Sequence, residues 1–287
     1  MTISIGLDVG GTKILGVVVD AAGRLLEEVR EPTPATDGQA LVRAMTAAVS
    51  ALRARHPDVG GVGAGIAGAV TPEGVVRYSP NLPGLVEAPV GKLLAEATGL
   101  PVRTENDATC ALWAEHLLGA ARGAGDVLFV ALGTGIGGGL ILDGQLVRGA
   151  HGFAGEIGHM VVVADGIPCV CGRLGCWERY ASGTALGGEG VTLAAREGDP
   201  AALRAFDELA GWVALGLVNL VQALDVERIV IGGGLAEAAD ILIPRVRVAY
   251  DERAVAPGHR PPVEIVAATL GDRAGAIGAA LLAHAVS

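Results

Sequence analysis

The sequence lacks the marks of membrane and exported proteins. The 287-residue chain has no run of about 18 uncharged apolar residues, so no transmembrane helix is expected. Its first residues, MTISIGLDVGG, contain neither a basic region nor a cleavage site, and they pass directly into a strand-like pattern. We therefore expect a soluble, cytoplasmic protein without a membrane partner.

Positive charge is also scarce. Lysine and arginine together number 21 against 31 acidic residues, which gives a net charge of −10, and they form no cluster. This balance argues against a nucleic-acid partner, because such surfaces need concentrated positive charge. A polyphosphate nucleotide could still bind through backbone N–H groups and a magnesium ion.

Cysteine occurs four times, and three of the four lie close together. Cys169, Cys171 and Cys176 follow His159, whereas Cys110 is remote and is expected to be a small buried apolar residue. In a reducing compartment such a cluster indicates a metal rather than disulfides. One imidazole and three thiolates suit a closed, tetrahedral structural zinc site, which lacks the open position of catalytic zinc. A C-x-C disulfide is the alternative.

Strand and helix patterns alternate along the whole chain, which predicts an α/β fold. Residues 3–20 and 126–149 each consist of a buried strand, a glycine turn, a second strand and another turn. These two hairpins suggest a duplicated core, although two hairpins could also be alike by chance. In the last predicted helix, from about residue 272, Gly275 and Gly278 are expected to allow close helix packing.

Both hairpin turns are rich in glycine and hydroxyl groups. Each turn is followed by a strand rather than a helix, so neither the P-loop nor the dinucleotide-binding pattern fits. We interpret them as two phosphate-binding loops, in which Asp8 could hold a hydrated magnesium ion. A third glycine cluster near residue 233 ends a strand and could admit the adenosine or its phosphates. The predicted nucleotide-binding residues are Asp8, Gly10, Gly11, Thr12, Lys13, Gly133, Thr134, Gly135, Gly233 and Gly234.

A possible general base lies where a short strand meets a helix. Asn106 and Asp107 stand at the predicted helix N-terminus, where they could simply cap the helix. Alternatively, the helix dipole keeps Asp107 ionised so that it can accept a proton from an attacking hydroxyl. Phosphoryl transfer needs mainly positioning, so a base of low pKa would suffice. Glu105 is the rival base.

Together these motifs resemble the ROK family of repressors, open reading frames and sugar kinases. The resemblance is carried by D-x-G-G-T-K, N-D before a helix, L-G-T-G-x-G-G-G and E-x-G-H-x9-C-x-C-G-x-x-G-C-x-E, and it covers essentially the whole chain. It implies a duplicated actin-like ATPase (ribonuclease H-like) fold with the sugar in an interdomain cleft. On this basis residues 1–107 plus 272–287 are expected to form a smaller N-terminal domain, and residues 108–271 a larger one carrying the zinc site.

The resemblance also implies roles for individual residues. Asp107 would be the catalytic base, and His159 would bind zinc through one ring nitrogen and a sugar hydroxyl through the other. The metal would then brace and aim the ring without taking part in the reaction. The sugar-binding residues implied in this way are Gly68, Asn81, Asn106, Asp107, Glu156, His159 and Glu178.

The activity implied is ATP-dependent phosphorylation of a hexose at its 6-hydroxyl, with glucose as the expected hexose and magnesium bound with ATP. The resemblance also implies a homodimer or homotetramer. Fructose, mannose, N-acetylmannosamine and N-acetylglucosamine remain alternative acceptors, and polyphosphate an alternative donor. A sugar-sensing regulator is less favoured, because such proteins carry a helix-turn-helix region ahead of D-x-G-G-T and only seven residues precede Asp8 here.

Overall fold

The computed structural model describes residues 3–256 and 258–284. The chain divides into two compact units. Unit 1 comprises Met1–Arg122, Arg148–Ala154 and Asp272–Ser287, and unit 2 comprises Gly123–Val147 and Gly155–Gly271. In the part of the chain that is described, no helix has the length and apolar character needed to cross a membrane.

The regular elements alternate between strand and helix, as the sequence predicts. The strands are β1 (Ile3–Val9), β2 (Lys13–Asp20), β3 (Leu25–Pro32), β4 (Val59–Ile66), β5 (Ala69–Val70), β6 (Val76–Tyr78), β7 (Val102–Asn106), β8 (Val127–Leu132), β9 (Ile136–Leu142), β10 (Gln145–Leu146), β11 (Arg228–Gly232) and β12 (Glu264–Ala267). The α-helices are α1 (Gly38–Arg53), α2 (Val90–Thr98), α3 (Asp107–Leu118), α4 (Glu178–Ala181), α5 (Gly183–Leu186), α6 (Glu189–Arg196), α7 (Pro200–Leu224), α8 (Ala239–Asp251) and α9 (Ala274–Ala283).

The two units contain sheets of the same topology. The sheet of unit 1 has the order β3-β2-β1-β4-β7, and that of unit 2 has the order β10-β9-β8-β11-β12. In each sheet the first three strands of the unit are antiparallel neighbours, and two parallel strands follow on the other side. The predicted α/β class and the duplicated core are therefore confirmed.

Helix α9 forms the centre of unit 1 because glycines allow it to lie almost in contact with neighbouring backbones. A Cβ atom added at Gly6 of β1 would be 1.9 Å from the Ala276 carbonyl oxygen. One added at Gly278 would be 1.7 Å from the carbonyl oxygen of Cys110 in α3. Every residue of α9 is buried, as expected for a helix that is apolar on all sides. The close packing predicted from Gly278 is present, and Cys110 is fully buried.

These contacts also place α3 in unit 1. The predicted boundary lies after residue 107, within the first turn of α3, whereas unit 1 continues to Arg122 and includes residues 148–154. The continuation follows from the packing of α3 against α9. Within residues 148–154, Gly152 lies against the rest of unit 1: a Cβ atom added at Gly152 would be 2.4 Å from the Val70 carbonyl oxygen.

The core of unit 2 is built around the long helix α7. Asp199 caps this helix by accepting a hydrogen bond from the Ala202 N–H (2.7 Å). Trp177 is fully buried against Gly216, and its indole N–H donates to the Trp212 carbonyl (2.8 Å). Since Trp177 directly follows Cys176, this packing fixes one end of the cysteine-rich segment to the hydrophobic core.

Candidate active site and metal centre

The first glycine turn of unit 1 carries a carboxylate with an unusual proton affinity. The turn closes through a hydrogen bond from the Gly10 N–H to the Lys13 carbonyl (3.1 Å). Burial, reinforced by the negative charge of Asp107, raises the pKa of Asp8 from 3.8 to about 7. Lys13, the predicted phosphate-binding cation, is exposed, and its Nζ lies 3.4 Å from Asp272 Oδ2.

Asn106 and Asp107 lie at the start of α3, as predicted, and Asn106 is the residue that caps the helix. Its Oδ1 accepts a hydrogen bond from the Thr109 N–H (3.0 Å), and its Nδ2 donates to the Gly68 carbonyl (3.1 Å). Asn106 therefore joins the beginning of the helix to the loop that contains Gly68. Asp107 is the first helical residue, and its carboxylate is not the N-cap of the helix.

The expectation that Asp107 has a low pKa was wrong. Burial raises the pKa of this carboxyl, and the hydrogen bond from the Ala108 N–H (2.8 Å) opposes the shift without cancelling it. The helix N-terminus favours the anion, as the sequence suggested, but loss of water from around the group has the larger effect. A raised pKa makes Asp107 a stronger base once it is ionised.

The two remaining acceptor-side residues of unit 1 lie in loops next to these groups. Gly68 has φ +130°, and a Cβ atom there would be 2.5 Å from the Tyr78 carbonyl oxygen, so only glycine fits. Asn81 is exposed, and its backbone lies against Gly11 of the first glycine turn, where an added Cβ would be 3.0 Å from the Asn81 carbonyl oxygen.

Glu105, the rival base, is already engaged. It is only 6% exposed, and its Oε2 accepts a hydrogen bond from Nε of Arg148 at 2.5 Å. This short, charge-assisted hydrogen bond occupies Oε2, so the Glu105 carboxylate already serves a structural contact. Sequence reasoning missed Arg148. The two residues are 43 positions apart, and neither belongs to a motif that would link them.

The second glycine turn, in unit 2, is braced from one side. The Gly183 N–H donates to the Gly133 carbonyl (2.7 Å), and the Thr184 hydroxyl donates to the Thr134 carbonyl (2.7 Å). Thr134 itself is exposed. Gly135 lies against the carboxylate of Glu178, since a Cβ at this glycine would be 2.4 Å from Glu178 Oε2. The turn predicted to bind phosphate and a residue predicted to bind sugar are thus direct neighbours.

The third glycine cluster also touches this turn. Gly233 has φ +78°, and a Cβ there would be 2.6 Å from the Leu132 carbonyl oxygen, directly before the second glycine turn. At Gly234 an added Cβ would meet nothing within 4 Å. The cluster opens a 3-10 helix, Gly234–Ala238, before α8 begins.

The predicted metal ligands converge in unit 2. One ligand atom from each of His159, Cys169, Cys171 and Cys176 lies within 4.8 Å of the other three. Cys171 Sγ is 3.5 Å from Cys176 Sγ, and Cys169 Sγ is 3.6 Å from His159 Nδ1. A tetrahedral zinc ion with ordinary bond lengths would place two ligand sulfurs about 3.8 Å apart, and a sulfur and a nitrogen about 3.5 Å apart. The four side chains could therefore hold a metal ion of this size.

The two ring nitrogens of His159 face different groups. The 3-10 turn Ile157–His159 directs Nδ1 toward the cysteines, and Nε2 lies 3.9 Å from Glu156 Oε2. Glu178 lies beside the cluster, where its Oε1 is 3.6 Å from His159 Nδ1 and accepts a hydrogen bond from the Cys169 thiol (2.9 Å). Nδ1 thus faces the sulfurs and Glu178, and Nε2 faces Glu156.

Known proteins resemble this chain over almost its whole length. The model of the ROK family matches residues 4–286. The chain belongs to the ROK family. It is similar to a glucokinase from Streptomyces coelicolor, with 38% identity over 99% of this chain and 98% of that protein.

Two further relatives bear on structure and on substrate. The crystal structure of a ROK family glucokinase from Streptomyces griseus in complex with glucose and AMPPNP has a TM-score of 0.91 and 37% identity, and covers 99% of each chain. An N-acetylgalactosamine kinase from Shewanella sp. strain ANA-3 is 36% identical over 97% of this chain and 96% of its own length. These relatives are thus named for different sugars.

Proposed function

We propose that this protein transfers the γ-phosphoryl group of ATP to the 6-hydroxyl of a hexose, with glucose as the acceptor and glucose 6-phosphate as the product. The proposal is supported by the near full-length similarity to glucokinases. The observation that carries it is the placement of His159, with one ring nitrogen beside the cysteines and the other on the side of Glu156.

That placement supports a sugar-binding role for unit 2. Glu156 and Glu178 offer carboxylates that accept hydrogen bonds from sugar hydroxyl groups, and with Nδ1 bound to zinc the Nε2–H of His159 would donate to a sugar oxygen. The side chain of Glu156 is 45% exposed, so it can receive a ligand without rearrangement of the core. In unit 1, the Gly68 loop and Asn106 would contribute further contacts, with Asn81 as a weaker one.

Asp107 is proposed as the general base. As the 6-hydroxyl oxygen forms its bond to the γ-phosphorus, the bond from that phosphorus to the leaving oxygen of ADP breaks, and the hydroxyl proton passes to the Asp107 carboxylate. Raised proton affinity favours this transfer. Glu105 would not compete, because Arg148 engages it.

The glycine turns are proposed to hold the nucleotide. Asp8 would hold magnesium bound with ATP, and the ion would neutralise charge on the phosphates. Backbone N–H groups of Gly11 and Gly135 would donate to phosphate oxygens, assisted by the hydroxyls of Thr12 and Thr134 and by Lys13. Gly10 and Gly133, whose N–H groups close the two turns, would allow the phosphates to approach the backbone closely. Gly233 and Gly234 would adjoin the adenosine, where the absence of side chains leaves space.

Zinc is proposed as a structural ion at the histidine and cysteine cluster. The ligand set and the 3.5–3.6 Å separations fit a closed four-ligand site. When bound, zinc would fix the loop and the orientation of the His159 ring. The cysteines would have to stay reduced, which is consistent with a cytoplasmic location.

A kinase for an N-acetylhexosamine is the second candidate, favoured by the similarity to the N-acetylgalactosamine kinase. Such an acceptor needs room beside its second carbon.

We also propose that the protein forms a homodimer or homotetramer and has no nucleic-acid partner. Light scattering after gel filtration would test the oligomeric state.

The decisive experiment is a coupled assay over glucose, fructose, mannose and the N-acetylhexosamines, with ATP and polyphosphate each tried as donor. Asp107→Asn is expected to remove turnover while hexose still binds, whereas Glu105→Gln should keep at least about a tenth of the activity, since Asp107 remains. The assignment of the base is wrong if these two variants behave in the opposite way. Absence of phosphorylation of any sugar by the wild-type protein would refute the proposed function itself.

A further inference from the structure

Arg148 belongs to none of the motifs assigned to the nucleotide, the sugar or the metal. It begins the segment Arg148–Ala154, which follows β10 in the chain and belongs to unit 1. Its side chain is 28% exposed, and its Nε donates to Glu105 Oε2 at 2.5 Å. The segment has a second point of attachment at Gly152, which lies against the Val70 backbone.

The ion pair is the first member of a short chain of hydrogen bonds. The other oxygen of Glu105, Oε1, accepts from the Asn106 N–H (3.2 Å). Asn106 in turn accepts from the Thr109 N–H and donates to the Gly68 carbonyl. Arg148 therefore orients Glu105, Glu105 holds the Asn106 peptide, and the next residue in the chain is Asp107.

Glu105 depends on Arg148 because it is almost completely buried. A buried carboxylate without a partner is strongly destabilised, and it turns away or takes up a proton. Arg103 is also close enough for its charge to be felt at Glu105, but among the described residues no hydrogen bond joins the two. Without Arg148, the peptide that precedes the base would lose its support.

We propose that Arg148 is a positioning residue for phosphoryl transfer, acting through Glu105 and Asn106 to hold Asp107 in the orientation that accepts the hydroxyl proton. This inference rests on the proposed function. It deepens that function by adding a residue that does not itself touch the hexose or the nucleotide. Errors of about 1 Å in the position of a reacting group can cost about 100-fold in rate.

The test compares kcat, hexose binding and thermal stability in four variants. These are Arg148→Met, Arg148→Lys, the double variant Glu105→Gln/Arg148→Met, and the control Arg245→Met. Arg245 is 29% exposed and pairs through its Nε with Asp207 at 2.8 Å, so the control removes an arginine of similar exposure whose partner carboxylate is 61% exposed rather than buried. Hexose binding is measured by calorimetry so that it is separated from turnover.

Arg148→Met is expected to lower kcat about 10- to 100-fold, with the hexose dissociation constant changed less than about threefold. Lysine should restore most of the loss, because it keeps the cation. The double variant should lie between Arg148→Met and wild type, since a neutral glutamine needs no cation and can still accept from the Asn106 N–H. The control Arg245→Met should match wild type.

Unchanged kcat in Arg148→Met would overturn the inference. So would equal losses of turnover, binding and melting temperature that lysine does not restore, since these indicate general destabilisation. If Arg148→Met does not fold, Arg148→Lys and the double variant make the same comparison. An active wild type that is inactivated by Asp107→Asn but unaffected by Arg148→Met would refute only this inference, whereas an inactive wild type would refute the proposed function as well.

Discussion

Replacement of Gly135 by alanine should impair the acceptor side of the site while leaving the fold intact. The added methyl carbon would lie 2.4 Å from Glu178 Oε2, where an ordinary contact begins at 3.4 Å. The carboxylate must therefore move by about 1 Å. Stability should change little, because the displaced atom is the end of a flexible side chain and Gly135 has no left-handed φ angle.

The effect on function should be much larger than the effect on stability. Glu178 is only 13% exposed, and its other oxygen lies 2.9 Å from Cys169 Sγ, so a shift of Oε2 also moves the carboxylate relative to the predicted metal ligands. A shift of about 1 Å in a substrate ligand corresponds to about 100-fold in kcat/KM for glucose. That loss equals about 2.7 kcal/mol of transition-state stabilisation.

Gly133→Ala is the matched control. This glycine lies in the same turn, but its added Cβ would meet nothing within 4 Å. Both variants should affect the KM for ATP to a similar degree, and Gly135→Ala alone should lower kcat/KM for glucose. Initial rates with each substrate varied, together with zinc content and melting temperature, would decide the matter. Equal glucose kinetics in the two variants would refute the reasoning.

Three further predictions concern packing, metal and pH. Gly278→Ala should lower the free energy of unfolding in urea by about 2–3 kcal/mol, because its methyl group meets the Cys110 carbonyl, whereas Gly190→Ala, which meets nothing, should not. Removal of zinc by a chelator, or Cys171→Ser, should lower the melting temperature and weaken hexose binding. The control Cys110→Ala should retain zinc. Loss of the metal without a change in melting temperature or in hexose binding would contradict the structural role. Without magnesium, the free energy of unfolding of Asp8→Asn should rise relative to that of wild type as pH increases from about 5 to about 8. A carboxyl with a folded pKa of about 7 stabilises the fold fully below its unfolded pKa and loses this effect as pH rises through 7. A pH-independent difference between the two proteins in urea unfolding would contradict the shift.

Several contacts in the candidate site could not be predicted from the sequence. The contact between Gly135 and Glu178 joins two motifs that were assigned to different substrates. The Arg148–Glu105 pair joins residues 43 positions apart that no motif links. Such contacts depend on side chains meeting after distant segments have folded together, and neither periodicity nor spacing contains that information.

Proton affinity was the second quantity beyond the reach of the sequence. The position of Asp107 at a helix N-terminus indicated a low pKa, because the helix dipole is a local feature. Desolvation depends instead on how completely the surrounding elements exclude water, and it has the larger effect at Asp107. Asp8 follows the same rule, with the nearby charge of Asp107 as an additional cause.

The sequence by itself determined the α/β class, the repeated hairpins and the set of residues able to hold a metal. Each of these is encoded by local periodicity or by residue types at short spacing. Tertiary structure alone decided that α3 packs with α9 in unit 1, that Arg148 engages Glu105, and that burial raises the pKa of the Asp107 carboxyl. These depend on burial and on contacts between distant segments, which exist only once the chain has folded.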